Sequence, residues 1–214
     1  MRSRFDRRLD TLNKKMIEMG AECETAIAQS VKALLDGDMK IAAMVKQSTR
    51  RIDELEREIE GICLKLLLQQ QPVAKDLRNI SAALKMITDM DRIGVQSEEI
   101  AEIVTALDGK TGKESADRRQ MALDVIKMVS DSVDAYVRAD ITLADGVIKY
   151  DDVVDDAFLK VKQNLIALIG QNARDGEYAL DLLMIAKYFE RIGDHAVNIA
   201  EWVKFSVKGV HRGE

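Results

Sequence analysis

The chain contains few of the residues that interrupt helices or build disulfide-rich and aromatic-rich folds. Among its 214 residues there are one proline, two cysteines and twelve glycines, and aromatic residues make up 4%. Two cysteines form no disulfide framework, and Cys23 and Cys63 lack the spacing of a metal site. Both lie among apolar residues, so we expect reduced thiols in the core. Few breakers together with 32% charged residues are typical of long amphipathic helices.

Long apolar segments are also missing. No apolar h-region follows the basic N-terminus MRSRFDRRLD, which argues against a signal peptide. The longest apolar stretch, GICLKLLL, is too short to span a bilayer. The formal net charge of −5 argues against nucleic acid as a partner. We therefore predict a cytoplasmic protein, for which docking on a membrane complex stays open.

Apolar residues recur every three or four positions and predict helices. The first such stretch runs from Phe5 to Leu34 and has the spacing of one helical face. Gly37 suits the left-handed C-cap of this helix, and Asp38 suits the N-cap of the next. Pro72 is expected to end the second helix and begin a third, which is predicted to run to about Leu107.

The pattern of the first half is repeated in the second. MDRIGVQSEEIAEIV at 90–104 and FERIGDHAVNIAEWV at 189–203 share Arg-Ile-Gly and Ile-Ala-Glu at the same spacing. The second helix of the first half is also repeated. Its predicted N-cap Asp38 corresponds to Asp140. Its apolar seam residues Val45, Ile52, Ile59 and Leu66 correspond to Val147, Val154, Val161 and Leu168. The polar stretch DGKTGKES between the copies predicts a linker. We predict an all-α protein of two tandem three-helix bundles, at residues 1–108 and 116–210, joined by a linker at 109–115.

Acidic residues four positions apart occur on two successive helices of the second half: Asp151 and Asp155, then Glu190 and Asp194. Residues four apart share a helix face, so two antiparallel helices can gather four carboxylates around one point. Like charges that close raise each other's pKa unless a cation lies between them. Oxygen-rich sites suit Mg²⁺, Mn²⁺ or iron. The alternative, which spacing alone favours, is that the acids form the solvated flank of the apolar seam.

The first half lacks part of this acid pattern. Thr49 and Val95 replace one acid of each pair and leave Asp53 and Asp91. Fewer negative charges mean fewer ligands and a weaker attraction for a cation. Any cation site in the first half is therefore expected to be weaker, rearranged or absent.

His195, Asn198 and Glu201 follow the second-half acids on the same predicted helix. They are predicted to lie just outside the ligand set and to support it. A di-iron carboxylate enzyme of the ferritin type needs a histidine three residues after a ligand glutamate. His195 comes five residues after Glu190, which disfavours that chemistry.

Each copy carries a glycine in the middle of its last helix, Gly94 and Gly193. A glycine there costs about 1 kcal/mol relative to alanine. The repeat therefore predicts that another group approaches the helix backbone closely in both halves. Tight helix packing and a bound metal would each satisfy this expectation.

LLLQQQPVAKDLR, RIGDHAVNIAE, the doubled three-helix unit and the chain length closely resemble the PhoU family of phosphate-signalling accessory proteins. The resemblance covers nearly the whole chain. It implies acid-xxx-acid motifs that can hold metal clusters, matched by Asp151, Asp155, Glu190 and Asp194 in the second half and by Asp53 and Asp91 in the first. The implied cofactor is a divalent or trivalent metal ion, such as Fe, Zn, Mn or Mg.

The resemblance also implies a function. Members of the family restrain the phosphate regulon when phosphate is plentiful. They connect the phosphate ABC transporter, through its ATPase subunit, to a membrane sensor histidine kinase, and they usually act as homodimers at the inner face of the membrane. The sequence shows no nucleophile–base pair, which agrees with a non-enzymatic regulator. A metal-dependent carboxylate enzyme and a purely structural helical dimer stay open as alternatives.

Overall fold

A computed structural model of the chain describes residues 2–69, 72–110 and 116–209. The first half contains three helices, α1 (Arg2–Asp36), α2 (Met39–Gln69) and α3 (Ala74–Ala106). The second contains α4 (Ala116–Arg138), α5 (Ile141–Gln171) and α6 (Gly176–Lys208), and a 3₁₀ turn (Ala173–Asp175) precedes α6. No strand occurs within these ranges. The prediction of an all-α fold is confirmed.

The turn between the first two helices of each half uses the same local chemistry. Gly37 has a positive φ of 66°, and the carboxylate of Asp38 accepts hydrogen bonds from the amides two and three residues later, at 2.8 and 3.3 Å. In the second half Ala139 has a φ of 51°, and Asp140 accepts from the amide three residues later at 3.0 Å. A left-handed residue ends one helix and an aspartate N-cap starts the next, as the sequence predicts.

The segments around α3 differ slightly from the predicted boundaries. Pro72 lies just before Val73, the N-cap of α3, and the helix ends at Ala106. Most of the predicted linker, residues 111–115, lies outside the described residues, as does the end of the predicted second bundle at 210.

Each half packs as a three-helix bundle, as predicted. In the first half α1, α2 and α3 pack against one another, and in the second half α4, α5 and α6 do the same. The bundles also meet directly, through α3 on α6 and α1 on α4. One hydrophobic cluster of mainly Leu, Ile, Val, Met and Ala side chains therefore extends through both halves, so the two copies share a core.

Both cysteines lie in this core and are free. The thiol of Cys23 donates to the carbonyl oxygen of Met90 at 3.4 Å. Burial raises the pKa of Cys23 and raises that of Cys63 to about 12, so both are inert thiols at neutral pH. The prediction of buried, reduced cysteines is confirmed.

None of the described helices combines the length and the apolar character that crossing a membrane requires.

Candidate cation site

The four predicted acids of the second half lie together on the facing surfaces of α5 and α6. We call Asp151, Asp155, Glu190 and Asp194 the second-half acid cluster. Burial and the nearby charges of Asp155 and Asp194, with a smaller contribution from Glu190, together raise the pKa of Asp151 to about 6. The charges of these carboxylates therefore act on one another in the folded chain, while the predicted ligand set stays a prediction.

The second-half acid cluster is buried on one side and open to solvent on the other. Burial and the charge of Glu190 raise the pKa of both Asp155 and Asp194, although both residues are exposed. Glu190 forms an ion pair with Lys187, one turn earlier on α6, and its side chain is only 14% exposed. Glu190 is therefore enclosed and already has a cationic partner, whereas Asp155 and Asp194 face solvent.

The mid-helix glycines meet different neighbours in the two halves. A Cβ atom placed on Gly94 would lie 3.0 Å from Cδ1 of Ile52, which is a tight contact. A Cβ atom on Gly193 would lie 3.5 Å from Cγ1 of Val154 and 3.7 Å from Oδ1 of Asp151, which are ordinary contact distances. Helix packing explains the glycine of the first half, whereas Gly193 exposes its backbone to a carboxylate.

The donor chemistry of the second-half acid cluster fits a hard cation. Its ligands are all carboxylate oxygens, and their mutual repulsion would be relieved by a positive ion. Within residues 2–69, 72–110 and 116–209, however, no three His, Cys, Asp or Glu side chains stand in position to hold a metal ion together. Binding would therefore require Glu190 to leave Lys187 and the carboxylates to close around the ion. The metal ligands stay a prediction.

The first half contains a smaller cluster that sequence reasoning described incompletely. Burial and the nearby charge of Asp53 raise the pKa of Asp91. The pKa of Glu56 is raised by burial and by these two acids. We call Asp53, Glu56 and Asp91 the first-half acid cluster. Glu56 was missed, although its position three residues after Asp53 places it on the same helix face.

The two replaced positions of the first half have structural roles. Thr49 is buried, and its hydroxyl donates to the carbonyl oxygen of Val45 at 3.1 Å. Val95 is half-buried on α3. Arg57, on the same helix, forms an ion pair with Asp53 at 3.6 Å, as Lys187 does with Glu190 in the second half.

The predicted supporting residues lie mainly at the interface between the bundles. Nδ1 of His195 is 2.9 Å from Oδ1 of Asp89 on α3, and the amide of Asn198 donates to the same oxygen at 3.1 Å. These two side chains are thus directed towards the first half and not into the second-half acid cluster. Glu201 is half-buried further along α6. A supporting role at a bound ion stays a prediction for all three.

A second polar contact crosses the interface at the equivalent position. The hydroxyl of Tyr188 donates to Oε2 of Glu99 at 3.2 Å. When the two Arg-Ile-Gly copies are aligned, Tyr188 is equivalent in sequence to Asp89, and Asn198 is equivalent to Glu99. The duplication therefore preserves a cross-bundle hydrogen bond at both positions while the residue types change.

Comparisons with known proteins agree with this architecture. A family model for the PhoU domain matches residues 16–104 and again residues 119–203. A phosphate-specific transport system accessory protein PhoU homolog from Pseudomonas aeruginosa is 32% identical over 207 residues, which are 96% of this chain and 86% of the relative. A protein of the same name from Clostridium acetobutylicum is 31% identical over 207 residues, covering 96% of this chain and 94% of the relative.

Solved structures show the same fold. The crystal structure of PhoU from Pseudomonas aeruginosa matches with a TM-score of 0.91 and 31% identity, covering 96% of this chain and 100% of that one. The phosphate transport system regulatory protein PhoU from Streptococcus pneumoniae matches with a TM-score of 0.89, covering 98% of this chain and 100% of that one. Its identity of 21% supports the fold alone.

Proposed function

The chain belongs to the PhoU family, and on this premise we propose that it is a non-enzymatic regulator of phosphate uptake and of phosphate-responsive gene expression. It connects the phosphate ABC transporter, through its ATPase subunit, to a membrane sensor histidine kinase. It acts as a negative regulator when phosphate is plentiful. It works as a homodimer on the cytoplasmic side of the membrane, where its partners hold it.

The observation that supports this proposal most strongly is the match over nearly the full length to accessory proteins of the phosphate transport system. Two copies of the PhoU domain account for most of the chain. A chain of long helices that share one core offers extended helical faces, which suit recognition of partner helices. The proposed role needs such surfaces and requires no catalytic group.

The proposal includes a metal ion at the second-half acid cluster. Asp151, Asp155, Glu190 and Asp194 would hold it. Its positive charge would offset the burial and the mutual repulsion that raise the pKa of Asp151, Asp155 and Asp194. Iron, Zn, Mn and Mg are the candidate ions. By joining ligands from α5 and α6, the ion would stabilise the contact between these two helices.

A deletion strain tests the regulatory role. Cells that lack the gene should express a phosphate-starvation reporter in phosphate-rich medium, and a plasmid copy of the gene should restore repression. Normal repression in the deletion strain would contradict the proposal.

A second experiment tests the partners. The affinity-tagged chain should co-purify with the transporter ATPase subunit and the sensor kinase from phosphate-rich cells, and light scattering should give the mass of a dimer. A chain that retains neither partner would favour a purely structural dimer. Oxidase or phosphatase turnover by the metal-loaded protein would favour a carboxylate enzyme.

A further inference from the structure

A surface groove of about 420 Å³ lies between the N-terminal part of α2 and the C-terminal part of α3. Its floor contains the buried residues Ala42 and Ala101, and its rim contains the exposed residues Ala43, Thr105 and Ala106. The volume lies within the range of about 300–1,000 Å³ that is usual for ligand pockets. Small side chains on both helices leave this space open. We call this feature the first-half groove.

The equivalent position in the second half carries larger side chains. Alignment of the two copies places Asp145 at Ala43, Lys204 at Thr105 and Phe205 at Ala106. Nζ of Lys204 lies 3.0 Å from Oδ1 of Asp145, so an ion pair connects α5 and α6 there. The ring of Phe205 packs edge-to-face on Trp202, with centroids 5.7 Å apart. The second half thus has an ion pair and a large aromatic side chain at positions where the first half has small side chains.

Charged residues flank the first-half groove. Lys46 on α2 lies 3.5 Å from Glu98 on α3, and the Lys46 side chain is 60% exposed. Glu102 is exposed at the groove, and no ion pair to it forms in the part of the chain that the structure describes. The second half has the apolar residues Ile148 and Val197 at the positions of Lys46 and Glu98. The first-half groove therefore combines an apolar floor with a rim that carries two carboxylates and one ammonium group.

We propose that the first-half groove is a docking surface for an amphipathic helix of a partner protein. The helix presents an aromatic side chain to the floor at Ala42 and Ala101, and it presents Arg or Lys to Glu98 and Glu102. The aromatic preference follows from Phe205, which the second half supplies at the position of Ala106. The basic preference follows from charge complementarity with the two glutamates. A helix is favoured because the groove lies between two helices and its alanines permit close packing.

This inference deepens the proposed function, on which its biological meaning rests, by giving the chemistry of one partner.

The probe is a fluorescent, hydrocarbon-stapled helical peptide that carries one Phe and two Arg residues on the same face. Its binding to the full chain is measured by fluorescence anisotropy. A second peptide, with Phe changed to Ala and both Arg residues changed to Glu, should bind at least tenfold more weakly.

Two variants close the groove in the way that the second half does. Ala106→Phe introduces the second-half aromatic residue, and the double change Ala43→Asp with Thr105→Lys introduces the second-half ion pair. Each should weaken peptide binding at least tenfold while circular dichroism shows an unchanged helical content. Ala167→Phe, at an exposed position on α5, is the matched control and should leave binding unchanged.

A methyl-labelled alanine NMR spectrum locates the peptide. Binding should shift the methyl signals of Ala42, Ala43, Ala101 and Ala106. The proposal is overturned if the unmodified chain does not bind the peptide, if binding survives both closures, or if the shifted signals lie elsewhere. It is also overturned if Ala106→Phe dissociates a dimer of the chain and the peptide does not compete with dimer formation. In that case a second copy of the chain occupies the groove. Normal repression in the deletion strain, with peptide binding intact, would contradict the proposed function and leave the groove proposal standing.

Discussion

In the second half four carboxylates influence one another electrostatically between α5 and α6, whereas in the first half three do so between α2 and α3. Asp151, Asp155, Glu190 and Asp194 come from paired positions on both helices. Asp53 and Asp91 retain two of these positions, and Glu56 adds a third acid from a position that is Phe158 in the second half. The first half therefore has three carboxylates at this contact, one more than the two that its incomplete acid pairs predict.

The contrast shows which positions are constrained by packing. Ile52 and Val154 occupy equivalent positions on α2 and α5, and both are fully buried. The aspartate N-caps Asp38 and Asp140 are also equivalent, and each accepts a hydrogen bond from the amide three residues later. Several positions outside these differ between the halves, such as Thr49 and Asp151 at the acids and Ala106 and Phe205 at the first-half groove. The fold thus requires the shared core and caps, and the two halves are free to carry different binding chemistry.

Removal of acids from the second half should have the largest effect. Changing Glu190 and Asp194 to Ala removes half of the carboxylates of that cluster, so we expect cation affinity to fall at least a hundredfold, which is about 2.7 kcal/mol. Changing Asp53 and Asp91 to Ala should weaken total binding less than tenfold. Isothermal titration with Mn²⁺ or Mg²⁺ measures both. Tight binding that survives loss of Glu190 and Asp194, or metal found only in the first half, would contradict the predicted asymmetry.

The reverse substitution provides a gain-of-function test. Changing Thr49 and Val95 to Asp gives the first half the acid pairs of the second, and a second class of cation sites should then appear in the titration. Because Thr49 is buried, the variant should be less stable without metal and should recover stability when a cation is added. A variant that folds but gains no affinity would show that acid identity alone does not produce the site.

The turns that start α2 and α5 should respond in opposite directions to exchange of their residues. Gly37→Ala adds a Cβ that would lie 2.4 Å from the carbonyl oxygen of Gly109, at a φ of 66°. We expect it to lower the free energy of unfolding by about 2–3 kcal/mol. Ala139→Gly relieves a left-handed alanine at a φ of 51° and should raise that free energy by about 0.5–1 kcal/mol. Urea denaturation measures both, and equal effects of the two exchanges would be inconsistent with this comparison.

Much of the fold could be predicted from the sequence because buried positions repeat with helical spacing. The seam from Val45 to Leu66 and its copy specify two helices, and the Gly37–Asp38 pair specifies where one helix ends and another begins. Local spacing does not reveal how the bundles meet. The packing of α3 on α6 and of α1 on α4 depends on the shapes of two distant surfaces, and the single shared core was not anticipated.

The candidate site could be predicted only in part. The four acids of the second half come together because residues four apart share a helix face. The pattern of acids four residues apart does not include Glu56, which follows Asp53 by three residues. The orientation of His195 depends on Asp89, which lies on α3 in the other half. Sequence position alone could not show that His195 and Asn198 contact the first half.

The raised pKa of Asp151 predicts a smaller effect on stability. Its pKa rises in the folded state from an ordinary 3.8 to about 6 because of burial and the neighbouring acids. Ionisation of Asp151 therefore opposes folding, and its stabilising contribution is complete below about pH 4 and lost as the pH rises to about 6. In the presence of a chelator, Asp151→Asn should raise the free energy of unfolding at pH 7 by about 1 kcal/mol, a value reduced for solvent screening of this half-exposed group.

The same substitution should have almost no effect at about pH 2, where the side chain is protonated in both the folded and unfolded states. Thr49 occupies the first-half position that is equivalent to Asp151, so the first half has no equivalent acid for comparison. Asp10→Asn, at an exposed position on α1, is a suitable control and should show no such change between the two pH values. A destabilised Asp151→Asn variant at pH 7 in chelator would mean that the carboxylate makes a favourable contact that outweighs the repulsion.

The glycines at the centre of α3 and α6 should give the smallest effect. Gly193→Ala improves helix propensity, and its Cβ would meet Val154 and Asp151 at ordinary contact distances, so the free energy of unfolding should rise by about 0.5–1 kcal/mol. Gly94→Ala should gain less, because its Cβ would lie 3.0 Å from Ile52 and that side chain must move. Urea denaturation in chelator compares the two.

The added methyl group at Gly193 also lies next to Oδ1 of Asp151, so the same variant should bind a cation more weakly if the ion approaches the α6 backbone there. A Gly193→Ala protein that gains stability and keeps full cation affinity would place the ion away from that backbone, and Gly193 would then be explained by packing alone.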